Sequence, residues 1–271
     1  MEEIAPRVRV AGALALVGAL TLTACGSSDS ATSASVLLTP IPTVAHKAGK
    51  GASVVAFGDS VPAGGGGCEC GDFVQDYADL ITDRTGKTST VDNFAVGGTT
   101  SSDVVDLLAT TQAQAAIKSA TIVLIMTGAN DYDDAFDEAS IGIDPSQVYP
   151  AVATVVQDNV TNAIGKIKKL NSKAHVVVLD YWAAEEDGAV ARSEYDSTTM
   201  AASISCTDSV NNALSLAAKA SSAKYISTLT AFKGPSGTND DTNLLGADGD
   251  HPDATGHQVI ARAIYAVYPK G

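Results

Sequence analysis

The chain has 271 residues, 45% hydrophobic with only 5% aromatic, enough to bury one good core and too short for a second catalytic domain beside it. Its formal charge is -14 and Lys and Arg form no clustered run, which excludes the phosphate-contacting surface that a nucleic-acid partner needs. The acidity is read as a source of solubility.

The N-terminus reads as an address. Arg7 and Arg9 precede an uninterrupted small-apolar run, Val10 to Leu22, which ends in Leu22-Thr23-Ala24-Cys25. The run falls short of the ~20 apolar residues that span a bilayer comfortably. Its last four residues resemble the lipobox of bacterial lipoproteins, which implies cleavage before Cys25 and a lipid on the Cys25 thiol. An ordinary secretory signal cut nearby is the alternative. Residues 1–24 are therefore expected to be a signal peptide and residues 25–50, rich in Ser, Ala, Thr, Gly and Pro, a flexible tether. Residues 51–271 are expected to form the folded domain, held on the extracytoplasmic side of a membrane by lipid. Protein charge does not contribute, because the signal carries two acids (Glu2, Glu3) and two bases (Arg7, Arg9) and its removal leaves the charge at -14.

From Ser53 the chain alternates strand and helix, the pattern of a parallel sheet covered on both faces. Ser53 to Phe57 predicts a strand ended by Gly58, and Phe73 to Arg84 a helix with Val74, Tyr77, Ala78 and Ile81 on one face. Val91 to Val96 predicts a second strand. After Gly97-Gly98 a Ser101 or Ser102 cap starts a helix through Val104, Leu107, Leu108 and Ala115. Thr121 to Met126 is apolar without alternation, as a central strand buried on both faces should be. Gln147 to Leu170 predicts a long amphipathic helix with Lys166, Lys168 and Lys169 near its C-terminus. His175 to Leu179 follows as a strand, then a helix holding Val210, Ala213, Leu214 and Ala217, a weaker strand over Ala223 to Leu229, and a last helix from about Asp253 to Val267. No internal repeat occurs.

Four short stretches sit at the ends of these elements: Gly58-Asp59-Ser60, Gly97-Gly98, Gly128-Ala129-Asn130-Asp131 and Asp248-Gly249-Asp250-His251. In open α/β sheets the ligand site lies beyond the carboxyl ends of the strands, so the first three converge there. A serine hydroxyl needs a base to become a nucleophile, and acyl transfer needs donors for the oxyanion. Ser60 is the candidate nucleophile, His251 the base, and Asp248, three residues earlier, the acid that fixes the imidazole tautomer. Gly98 can offer a backbone N–H at close range and Asn130 a side-chain amide. Taken singly, each stretch is also a good turn or helix cap. Their joint occurrence, in order and at element ends, decides for a site.

These stretches, with Asn93-Phe94-Ala95-Val96-Gly97-Gly98-Thr99-Thr100 around the second and Pro252 after the fourth, resemble the four signature blocks of the SGNH or GDSL hydrolases over about residues 53 to 268. The resemblance implies a flavodoxin-like three-layer α/β/α fold with a five-stranded parallel sheet. It also implies a serine esterase or lipase that uses Ser60, His251 and Asp248, with an oxyanion hole made by the Ser60 N–H, the Gly98 N–H and Asn130, and with no cofactor. The first block here has Val61 where Leu is common and the third has Ala129; neither is a catalytic position. The segment Gly64 to Cys70 looks like that of secreted actinobacterial members. The nucleophile-elbow pattern Gly-x-Ser-x-Gly is absent around Ser60.

Competing readings are weaker. Asp248, Asp250, His251 and Asp253 have the residue types of a metal site, but their spacing does not discriminate, and no metal is expected. The Gly64–Gly67 run lacks the Gly-Lys-Ser/Thr of a phosphate loop and reads as a mobile lip beside Ser60. His257 is the runner-up base; His46 and His175 are incidental. With Cys25 lipidated, Cys68, Cys70 and Cys206 remain, and the expected bridge joins Cys206 to Cys68 or Cys70, with three free thiols as the alternative. The acyl pocket falls to Tyr132 to Tyr149 and Tyr181 to Thr199, polar and acidic stretches that favour small or polar acyl esters. A monomer acting on a small-molecule, glycan or lipid ester is expected. Acyl transfer to a glycan hydroxyl, glycan deacetylation and a non-catalytic surface-binding lipoprotein stay open.

Overall fold

Strand β1 (Ser53–Gly58) shows why the sequence reads as it does: Val54, Val55, Ala56 and Phe57 are all fully buried, so an unbroken apolar run is required on both faces of the sheet. The same holds for β3 (Ile122–Met126) and for Val176 to Leu179 of β4 (His175–Leu179). β2 (Thr90–Asn93) and β5 (Lys224–Ile226) are short edge strands with mixed exposure. The computed structural model describes residues 51–65 and 71–267. The signal peptide, the tether, Cys25, Cys68 and Cys70 lie outside them.

All four strand pairings are parallel, in the order β2-β1-β3-β4-β5. The five-stranded α/β architecture expected from the sequence is the one observed, and β3 is central. Helix α1 (Phe73–Thr85) packs on α9 (Ala254–Ala266), which also meets α8 (Thr228–Lys233). A second group gathers α2 (Ser101–Leu107), α3 (Thr111–Ser119), α4 (Asp133–Ser140) and α7 (Ser197–Ala220) around the long α5 (Pro145–Leu170). Each large apolar side chain buried between these layers and the sheet contributes roughly 1.5–3 kcal/mol. The chain leaves β1 toward β2 on one side and returns to β3 on the other, which opens a switch point between the carboxyl ends of β1 and β3.

Several boundaries differ from expectation for local reasons. The single helix expected after Gly98 is two: Thr110 turns its hydroxyl to Leu107 O and caps α3 at Ala113 N, so α2 stops. Thr100, not Ser101 or Ser102, caps α2, in a reciprocal box with Asp103. The last strand ends at Ile226 because Ser227 caps α8. The stretches read as substrate loops contain α4 and α6 (Gly188–Glu194).

The expected pairing of Cys206 is corrected. Cys206 is a free thiol, fully buried on the inner face of α7. Burial, with Glu185 and Asp133 adding to it, pushes the thiol well above its ordinary range, so it behaves as a small core side chain.

Candidate active site

The first stretch is shaped by β1 passing β3. At Gly58, φ is +150° and an added Cβ would sit 1.8 Å from Met126 O, so the strands approach this closely only with glycine. Asp59 N–H then donates to Met126 O (3.2 Å), and the Asp59 side chain turns inward, 1% exposed. Its Oδ1 accepts from Val61 N–H at 3.2 Å and its Oδ2 from the Tyr181 hydroxyl. Burial dominates and raises its pKa to about 7, against the opposing pull of the Tyr181 and Val61 hydrogen bonds. With Asp59 pinned below, Ser60 is left half-buried at the top of the turn, and its carbonyl accepts from Gly65 N–H at 2.7 Å.

The donors stand across from it. A Cβ on Gly97 would be 3.7 Å from Ser60 Cβ, and Gly98 has φ +79° with open space where its side chain would be. Thr99 Oγ1 donates to Gly58 O (3.0 Å) and Val96 O (2.8 Å), tying this loop to the end of β1. Asn130 opens a 3₁₀ turn after β3 (Asn130–Tyr132), and one hydrogen of its amide goes to Thr99 O at 2.8 Å. The second amide hydrogen has no partner among the described residues.

His251 arrives on a loop with no strand beneath it. The loop is stapled by a Leu245–Pro252 bridge, by Gly246 N–H to His251 O (2.8 Å) and by Asp187 N–H to Gly249 O (2.8 Å). Asp248 Oδ2 lies 2.9 Å from His251 Nδ1, while its Oδ1 accepts from the backbone N–H of His251 (3.1 Å) and Asp250 (3.2 Å). Partial burial works to raise the Asp248 carboxyl, but these bonds outweigh it and the net direction is down. A carboxylate on Nδ1 places the free lone pair of a neutral imidazole on Nε2. That edge faces Gly65: an added Cβ there would lie 2.7 Å from His251 Cδ2 and 2.9 Å from Nε2. Ser60 and His251 are thus neighbours across Gly65, without a direct hydrogen bond between their side chains, as is common before substrate is bound.

All the expected groups, Ser60, Gly98, Asn130, Asp248 and His251, meet at the switch point. His257, the runner-up base, does not; it is fully buried in α9 and stacks on Phe73 at 6.3 Å. Burial lowers its basicity. His175 begins β4 at the opposite end of the sheet, and His46 lies outside the described residues. Among the described residues, no group of three or more His, Cys, Asp or Glu side chains can hold a metal ion.

Three residues gained a place that the sequence reading did not give them. Asp250 Oδ2 is 3.4 Å from His251 Nδ1, a second carboxylate on the same nitrogen, and burial raises its pKa above the usual carboxylate range. Asp131 accepts from Ser101, and Tyr181 holds Asp59. Tyr181 follows β4 at the carboxyl edge of the sheet, which was a readable signal; the other two needed coordinates. Asp59, Ser60, Asn130, Asp250, Ala183 and Ala184 line a small cleft here. Beside it Glu185 is raised to about 8, first by burial and then by Asp133 and Asp250.

The GDSL-like Lipase/Acylhydrolase family model matches residues 56–259, well over half the chain and all four stretches. No curated protein matches the chain in sequence. Among solved structures, a lipase from a goat rumen metagenome is similar at 20% identity and TM-score 0.63, over 79% of this chain and 96% of that one. An extracellular lipase from Streptomyces rimosus is similar at 17% identity and TM-score 0.59, over 79% and 99%. An acetyl-xylooligosaccharide esterase from Geobacillus gives 19% identity and TM-score 0.56, over 80% and 94%. The chain belongs to the GDSL-like lipase/acylhydrolase family, and it is an ester-hydrolysing enzyme.

Proposed function

We propose that this enzyme hydrolyses carboxylic esters of small or polar acyl groups through an acyl-enzyme on Ser60, on the extracytoplasmic side of a membrane to which a lipid on Cys25 holds it. The observation that carries the reading is the His251 ring, held by Asp248, packed on Gly65, whose N–H bonds the Ser60 carbonyl.

Ser60 Oγ attacks the ester carbonyl carbon while its proton passes to His251 Nε2, and Asp248 stabilises the imidazolium through Nδ1–H. The carbonyl π pair moves to oxygen and meets the N–H groups of Ser60 and Gly98 and the free hydrogen of the Asn130 amide. Collapse expels the alkoxide, which takes the proton from His251. Water, deprotonated by His251, then repeats the sequence to release the acid and restore Ser60.

The cleft beside Ser60 is walled by the short side chains of Val61, Ala183 and Ala184 and edged by the carboxyl of Asp250, which suits a short acyl chain or a polar alcohol. One structural relative is named as an esterase of acetylated xylooligosaccharides. The test is a panel of chromogenic esters of rising chain length on wild type and Ser60→Ala, with fluorophosphonate labelling of Ser60. Turnover that falls with chain length and vanishes in Ser60→Ala is expected. Wild-type turnover no higher than the variant's on every ester overturns it. For the anchor, Cys25→Ser should release the protein to the medium and abolish incorporation of an alkynyl fatty acid.

A further inference from the structure

We propose that Asp131 is a positioning residue: through Ser101 it fixes the spacing between the Gly98 and Asn130 donors and so sets how well the oxyanion is held. The inference rests on the assignment of those donors above.

The two donors belong to different elements. Gly98 lies on the loop that opens α2, and Asn130 on the turn that follows β3. The sheet holds one side of the gap between them, through Val96 N–H and Thr99 Oγ1 on Gly58 O (both 3.0 Å), while the β2–α2 loop itself crosses from an edge strand. The gap is closed by side chains. Asp131 Oδ2 accepts from Ser101 N–H at 2.7 Å and its Oδ1 from Ser101 Oγ at 2.6 Å, and Asn130 itself reaches Thr99 O at 2.8 Å. Three consecutive residues, Thr99 to Ser101, are thereby placed against two consecutive residues, Asn130 and Asp131. Asn159 of α5 completes the arrangement, donating its amide to Ser101 Oγ at 3.0 Å. That hydroxyl both gives and receives, and Ser101 is 1% exposed, so the carboxylate bonds are shielded from water and charge-assisted.

Asp131 is one residue from Asn130, and Ser101 three from Gly98. A slip in the Asp131–Ser101 contact must therefore appear at the donors themselves. Donors have to stay within ~0.5 Å of the productive geometry, and an entire lost donor costs ~10²–10³ in rate. The competing reading is that Asp131 only caps α2. A cap would affect stability, and its loss would not single out the transition state.

The experiment compares Asp131→Asn and the milder Ser101→Ala with wild type. The Asn side chain has one acceptor oxygen in place of two, so one of the two Ser101 bonds is lost; Ser101→Ala keeps its backbone N–H on the carboxylate. For Asp131→Asn, kcat is expected to fall about 10–100-fold with KM within about threefold of wild type, and Ser101→Ala to lose about 3–10-fold. Combined with Asn130→Ala, Asp131→Asn should cost less than it does alone, because its effect runs partly through the donor already removed. In backbone and side-chain amide NMR spectra, the Gly98 and Asn130 signals should shift in both variants while those of β4 and β5 stay in place.

Additive losses, a rise in KM at unchanged kcat, or unmoved Gly98 and Asn130 signals would overturn the proposal. The NMR arm needs no turnover. A wrong assignment of Ser60 therefore shows as absence of label on Ser60 with the shifts present, and a wrong assignment of Asp131 as a labelled, active variant with the shifts absent.

Discussion

The nucleophile and the base are held by opposite means. Ser60 sits two residues beyond the Gly58–Met126 register of two buried strands, so its position is set by the sheet. His251 sits on a loop closed by one isolated bridge and a few backbone bonds, and its neighbours Asp248 and Asp250 are partly exposed. The contrast teaches where each half can fail. Damage on the Ser60 side should cost the fold, while damage on the His251 side should cost the reaction and leave the fold standing.

The largest effect is expected from Asp248→Asn. It leaves the loop nearly isosteric but offers His251 Nδ1 an ambiguous partner, so kcat should drop by roughly 10²–10⁴ with the melting temperature within a few degrees of wild type. Cooperative loss of the fold in that variant would break the comparison. On the other side, Gly58→Ala puts a methyl 1.8 Å from Met126 O. A loss of more than about 4 kcal/mol in stability is expected, read by chemical denaturation, because β1 must part from β3 to admit it. A folded Gly58→Ala enzyme with near-normal stability would refute the claim that the sheet sets Ser60.

Gly249→Ala is intermediate. Its φ is +71° and the added methyl would meet Val190 Cβ at 2.5 Å. The expectation is about 1–3 kcal/mol of destabilisation together with a tenfold or greater fall in kcat, partly restored by Val190→Ala, which removes the clash but not the strained φ. Absence of any rescue would mean that α6 does not seat the His251 loop. The most gradual effect concerns pH. Asp59 has an ordinary value of 3.8 and is raised to about 7 by burial. The folded protein therefore keeps a proton that the unfolded chain has released, and stability falls as pH rises through that window, by at most about 1.4 kcal/mol per pH unit. Asp59→Asn should flatten the decline in melting temperature between about pH 4 and 7. Glu185, raised in the same direction to about 8, leaves a residual slope. An unchanged pH dependence would remove Asp59 from this role.

Much of the fold was legible because its central strands are buried on both faces, so Val54 to Phe57, Ile122 to Met126 and Val176 to Leu179 had to be unbroken apolar runs. The site was legible for a related reason: Gly58, Gly98 and Gly249 occupy conformations or contacts that a side chain would spoil, and such positions leave glycines in the sequence. Edge strands and short helices were harder. β5 has three residues, and α4, α6 and α8 are six to eight long, too brief to establish a period. Long-range pairs were out of reach. Nothing local links Ser101 to Asp131 or Tyr181 to Asp59, and Cys206 was assigned by cysteine arithmetic when its place on the inner face of α7 was decided by packing.

The bond from Asp187 N–H to Gly249 O has a bearing on how this enzyme could be redesigned. Ala183 and Ala184, which shape the space beside Ser60, share one short segment with the residue that tethers the general base. Exchanging that segment to admit a bulkier acyl chain would detune proton transfer in the same stroke, so selectivity and turnover are not separable modules on this wall. The α4 side, whose Asp133 acts on Glu185 through its charge and has no backbone tie to the His251 loop among the described residues, offers the freer route for altering substrate choice.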